Sequence, residues 1–95
     1  MFEVIGHTVG GKTVVSGVYR FFETYGLPLE VVFQVLQEKE LVPCWISFHR
    51  EAIQAGMQHD RILSKLDPAL SDTYGTEFRD KVLHGLGRLH EAHKL

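Results

Sequence analysis

Eight residues near the start of the chain, Gly6-His7-Thr8-Val9-Gly10-Gly11-Lys12-Thr13, have the types and spacing to hold a phosphate. Gly6 and Gly11 would let backbone N–H groups wrap an anion, Lys12 would neutralise its outer oxygens, and Thr13 would offer a hydroxyl to Mg²⁺. That chemistry requires a strand leading in and a helix leading out, because the helix N-terminus adds its partial positive charge. The pattern G-x-x-x-x-G-K-[ST] is met at every fixed position.

The histidines are the second group able to do chemistry. His49 falls at the centre of an apolar helical face, flanked by Trp45, Ala52 and Ile53, and reads as a buried imidazole with one hydrogen-bond partner or as a base or pH switch. Cys44 lies five residues before it, on another face, so the two do not form a nucleophile and base pair. His90 and His93 are three apart and share a helix face, but two ligands do not make a site. His90-Glu91-Ala92-His93 is one residue short of the H-E-x-x-H spacing of zinc peptidases. The expectation is therefore no metal and no cofactor. Glu38 and Glu40, the nearest carboxylate pair, read as solvated.

These residues must be positioned by short segments punctuated with Gly and Pro. Phe2 to Ile5 is rich in strand formers. From Thr13 the period becomes helical, with Val14, Val18, Phe21, Phe22 and Tyr25 on one face and Ser16, Arg20 and Glu23 opposite, predicting a helix over 13–25 capped by Thr13 and stopped by Gly26. Pro28 opens a second helix with Leu29, Val32, Phe33 and Leu36 in one stripe, widened by Val31 and Val35; a buried strand over 31–36 is the alternative. Pro43 starts a third helix reaching Ala55. Residues 58–66 form a shorter one, Asp67-Pro68 cap a further turn to about Ser71, and Thr76 caps the last helix. Gly85 and Gly87 interrupt that last helix at about 1 kcal/mol each. Close approach of another helix would explain Gly85; Gly87 points outward.

The predicted fold class is thus mostly α, a compact bundle of four to five short helices with a short N-terminal strand or β-hairpin. One domain spans 1–95, divided into an extended segment and Gly-rich turn over 1–12 and a helical bundle over 13–95. Gly6 to Thr13 resembles the phosphate-binding loop of P-loop NTPases over eight residues of ninety-five. The resemblance implies a parallel sheet with crossover helices and an acidic Mg²⁺ ligand after a second strand. One convincing strand is available and no apolar run ends in Asp, so Gly10-Gly11 as a two-residue hairpin turn is the favoured reading.

Composition narrows the functions. Ninety-five residues with 44% hydrophobic and 23% charged side chains describe an ordinary globular domain with one modest core. Ten Lys and Arg against twelve Asp and Glu leave a net charge of −2, which argues against diffuse attraction to nucleic acid or an anionic membrane. No run approaches the ~20 apolar residues of a membrane span. The lone Cys44 points to a reducing, cytoplasmic location. With ten aromatic residues and no catalytic set, the expected function is a non-catalytic protein-binding or regulatory module, with homo-oligomerisation as one outlet for surplus apolar surface. Tyr19, Val31, Val35 and Arg50 are the candidate interface. Nucleic-acid binding is the alternative, with the second and third helices arranged as a helix-turn-helix presenting Ser47, Arg50, Glu51 and Gln54; phosphate binding at Gly6 to Thr13 is the third reading.

Overall fold

In the computed structural model, which describes residues 2–93 and the side chains of 2–92, strand β1 (Glu3–His7) is followed by β2 (Thr13–Ser16), helix α1 (Val18–Tyr25), α2 (Leu29–Glu38), strand β3 (Leu41–Pro43), α3 (Trp45–Gln54), α4 (His59–Tyr74) and α5 (Thr76–His93). The mostly α class with an N-terminal β-hairpin is therefore the architecture observed. No helix among the described residues is long and apolar enough to cross a membrane.

The largest departure from the sequence reading is at Thr13. Residues 13–16 are a strand, not the first turn of a helix, so the division into a helical bundle from 13 onward is corrected. β2 lies between β1, antiparallel, and β3, parallel, in a three-stranded sheet. Val14 and Val15 are β-branched and suit a pleated surface, and Val15 is buried against the helices. Gly17, at φ 87°, then turns the chain into α1, a left-handed conformation that a side chain would oppose. The reverse turn also sits one residue earlier than expected. Gly11 N–H donates to Thr8 O at 2.9 Å and Thr8 N–H to Lys12 O at 2.8 Å, so Val9 and Gly10 are the central residues and Gly11, at φ 87°, completes a three-residue loop. Ile5 is an extra residue in β1, a bulge that leaves Val4 and Ile5 both exposed.

A second correction concerns α4. Asp67-Pro68 was expected to cap a new helical turn, yet α4 runs unbroken through Pro68. An interior proline costs about 3 kcal/mol. Ile62 and Leu66 before it and Ala69 and Leu70 after it are all buried, and burial of the larger side chains at roughly 1.5–3 kcal/mol each outweighs that cost.

The core lies where α2 and α4 meet, with Val32, Phe33 and Leu36 against Ile62, Leu66 and Leu70. Phe33 meets Trp45 edge-on at 5.4 Å and Tyr74 at 5.9 Å, tying three helices together. Arg79 bridges Asp67 at 3.3 Å and Asp80 at 2.8 Å, fixing α5 beside α4.

Helix α1 lacks a side-chain cap of its own. Glu51, from α3, supplies one: its carboxylate accepts from the N–H of Gly17 at 2.9 Å and of Arg20 at 3.3 Å. A negative group at the positive end of the helix satisfies donors that would otherwise lack partners. Glu51→Ala is expected to lower stability by about 1–2 kcal/mol, with Glu51→Gln losing less. Urea denaturation of both variants measures this, and equal stability of Glu51→Ala and the parent would remove the capping role.

Candidate metal centre

His49 is the fifth residue of α3 and is buried, as expected from its place on the apolar face. Its Nε2 lies 2.8 Å from Nδ1 of His59, the first residue of α4. One nitrogen must donate and the other accept, so the two rings are held in complementary tautomers. His90, near the end of α5, stacks on His59 with ring centroids 3.9 Å apart and an interplanar angle of 4°. The ligand nitrogens of all three lie within 4.8 Å of one another, and no thiol or carboxylate of the described residues joins the group.

Each histidine is placed by a different local cause. His49 is carried by the face of α3 that also buries Phe48 and Ala52. His59 is set by Gln58, whose carbonyl accepts the Ile62 N–H at 3.0 Å and so opens α4. His90 is brought in by Val82 and Leu86, buried two turns and one turn earlier on α5. The cluster therefore exists only when α3, α4 and α5 are packed.

Three imidazole nitrogens at this separation are close to what a tetrahedral transition ion needs. With metal–nitrogen bonds of 2.0–2.1 Å, tetrahedral ligands sit about 3.3 Å apart. The His49–His59 pair must open by about half an ångström and His90 must close in. Because His59 and His90 are parallel, one ring turns about χ2 so that its lone pair converges with the others. Both rings are only partly buried. An open cleft of about 560 Å³ adjoins the cluster, lined by Ile53, Gln58, His59, Asp60, Gly87, His90 and Glu91.

The sequence reading placed the metal-ligand question on His90 and His93, in one helix. His93 belongs to α5, but its side chain lies outside the described residues. His59 was missed, because no spacing links residues 49, 59 and 90. The available signal was His49 itself, a polar group at the centre of an apolar face that must be met by something from elsewhere.

The other predicted positions are not brought together into a site. Gly6 and Thr13 are strand residues of the hairpin, opposite Val14 and His7 respectively, Gly11 and Lys12 lie in and beside its loop, and β2, not a helix, follows. The strand–loop–helix geometry of a phosphate loop is thus not formed. Tyr19 is buried, edge-on to Phe48 at 5.3 Å, and burial followed by the neighbouring Glu23 pushes its phenol up. Val31 is exposed and Val35 half-buried on α2, while Arg50, exposed on α3, lines a separate cleft with Arg20 and Glu51. The segment between α2 and α3 is strand β3 rather than the turn of a helix-turn-helix. Of the basic residues on α4 and α5, Arg79 and Lys81 sit in ion pairs with acidic neighbours.

The two glycines of α5 are also placed. Gly85 does not mark a helix approach, since a Cβ there would meet nothing within 4 Å; it lines an apolar groove on one side of α5. Gly87 lines the cleft beside His90 on the other. No family model, curated protein or solved structure matches this chain.

Proposed function

We propose that this protein binds a divalent first-row transition ion, with Zn²⁺ the probe of choice, through His49, His59 and His90. The observation that carries this reading is the meeting of three imidazoles from three helices, their ligand atoms within 4.8 Å of one another. Neutral nitrogen donors suit Zn²⁺, Co²⁺, Ni²⁺ and Cu²⁺, and are poor ligands for Ca²⁺ or Mg²⁺, which require oxygen. Equilibration with Zn²⁺ followed by desalting and metal analysis is expected to retain one ion per chain, and His59→Ala with His90→Ala to retain none. Equal retention by that double variant would locate the metal elsewhere.

A second face supports protein binding. An apolar groove of about 810 Å³ runs between the sheet and α5, lined by Val42, Trp45, Ile46, Phe78 and Leu89, with Lys81 and Arg88 also bordering it. Ile46 is half exposed there. An apolar trough with two cations fits an amphipathic helix with acidic flanks. Trp45 is the sole tryptophan of the chain, so its emission reports occupancy. A blue shift that saturates with an acidic amphipathic peptide, and fails in Ile46→Asp, is the expected result. A shift that depends on protein concentration alone would mark a second copy of the chain as occupant, and no shift in either titration would end the reading.

A further inference from the structure

We infer that the groove between α5 and the sheet binds an amphipathic helix that carries two acidic residues seven positions apart with a large apolar residue between them, the acids meeting Lys81 and Arg88 and the apolar side chain seated on Gly85. The inference rests on the protein-binding reading of this groove and deepens it, to the sequence pattern of the partner.

At about 100° per residue, Gly85 falls between two stripes of α5. Phe78, Val82 and Leu89 lie on one side of it and Lys81 and Arg88 on the other, and all of them line the groove. The apolar stripe turns toward the core, where Val82 is buried, whereas Lys81 and Arg88 are exposed at the rim. Trp45 and Ile46, at the start of α3, line the groove from outside α5. A partner must therefore be apolar toward Trp45 and Ile46 and polar toward the rim, which is the cross-section of an amphipathic helix.

Charge selects what meets the rim. No acidic residue lines the groove, although the chain as a whole carries a net charge of −2. Arg88 has no ion pair among the described residues, and Lys81 has only an exposed contact with Glu77 at 4.0 Å. An exposed pair of that kind contributes little, so both cations are available to carboxylates of a partner. They stand two turns apart, roughly 10 Å along the helix axis. Residues seven apart on a second helix lying along α5 have the same separation, and the residue three or four places after the first falls between them.

Gly85 accounts for the middle. Glycine inside a helix weakens it relative to alanine, yet Gly85 is exposed and a Cβ there would meet no heavy atom within 4 Å. Its φ is not positive either, so neither the backbone nor packing within the chain demands glycine. Without a side chain, the groove stays open between Lys81 and Arg88, and a bulky residue of the partner fills that space.

The test uses the full chain and two tryptophan-free helical peptides, each with two Glu seven apart and Leu on the apolar face. Phe stands three places after the first Glu in one peptide and four places after it in the other. Trp45 emission reads the affinity. One of the two is expected to bind saturably, and replacing its Phe by Ala to weaken it about tenfold or more. Gly85→Leu should weaken the Phe peptide by a similar factor, because the leucine occupies the seat. Gly85→Ala, which favours the helix, should weaken it less, so a loss in both variants is not a loss of folding. Lys81→Glu with Arg88→Glu should reject the Glu peptide and accept one with Lys in place of both Glu. If the parent binds but Gly85→Leu or loss of the Phe leaves the affinity unchanged, or if the charge-reversed protein binds both peptides equally, the pattern is overturned while the groove reading stands. A shift with protein concentration alone would make a second copy the occupant and overturn the inference. No shift with any peptide ends both the inference and the reading beneath it.

Discussion

Zn²⁺ at about a hundredfold excess over its dissociation constant is expected to raise the melting temperature by roughly 10–20 °C. Ligation of the native state alone adds about 2.7 kcal/mol at that excess, and a domain of this length gains about 4–8 °C per kcal/mol. The effect is large because the ligands come from α3, α4 and α5, so a bound ion links three elements that hydrophobic packing alone must otherwise hold. A chelator should reverse the rise. His90→Ala removes a partly exposed ligand without opening the core, so the variant should melt near the apo parent and gain only a few degrees from Zn²⁺. Calorimetric scans of both proteins, with and without metal, make the comparison. A rise of equal size in His90→Ala would show that other groups bind the ion, and no rise in the parent would refute the proposed function.

Phe33→Ala is expected to cost about 3–5 kcal/mol, against a total stability of roughly 5–14 kcal/mol for a chain of this length. Phe33 is fully buried and its ring meets Trp45, Phe48 and Tyr74, from α3 and α4. Those helices carry His49 and His59. Loosening them should separate the two imidazoles, so Zn²⁺ affinity should fall together with stability although no ligand is touched. Phe33→Leu, which leaves a smaller void, should lose less of both. The paired measurement is urea denaturation and Zn²⁺ titration on the same samples. Unchanged affinity in a destabilised Phe33→Ala protein would mean that the histidines are held locally rather than by the core.

The helices were legible where their apolar stripes are long. Val32, Phe33 and Leu36 of α2 and Phe48, His49 and Ala52 of α3 are buried as their spacing predicts. The strands β2 and β3 were not, for a physical reason. Four and three residues are too few to show a period of two, and each gains its stability from a partner far along the chain, Thr13 opposite Leu41 and Val14 opposite Val42. Helical spacing from Val14 to Val18 was an accident of a strand followed by a helix, with Gly17 as the joint. Pro68 misled in the other direction, since local propensity marks a break that the burial of Leu66 and Leu70 overrides. At the candidate site, His49 was recognised as a polar residue in an apolar place. His59 and His90 could join it only once the crossing of α3, α4 and α5 was known, because periodicity reports the face of one helix and not which residues of three helices converge.

The parallel pairing of β2 with β3 bears on how the chain reaches this state. β1 and β2 are joined by a short turn, and such hairpins close in about 1–10 μs. β3 can add to β2 only after residues 17–40, including α1 and α2, have folded back across the sheet, a non-local step of the kind that slows folding. The Cys44 amide, which donates to Val15 O at 2.8 Å just beyond Pro43, is formed by that step and by no local one. Its protection from solvent exchange is therefore expected to follow that of the hairpin amides, with the same event setting α3, and His49 with it, in register.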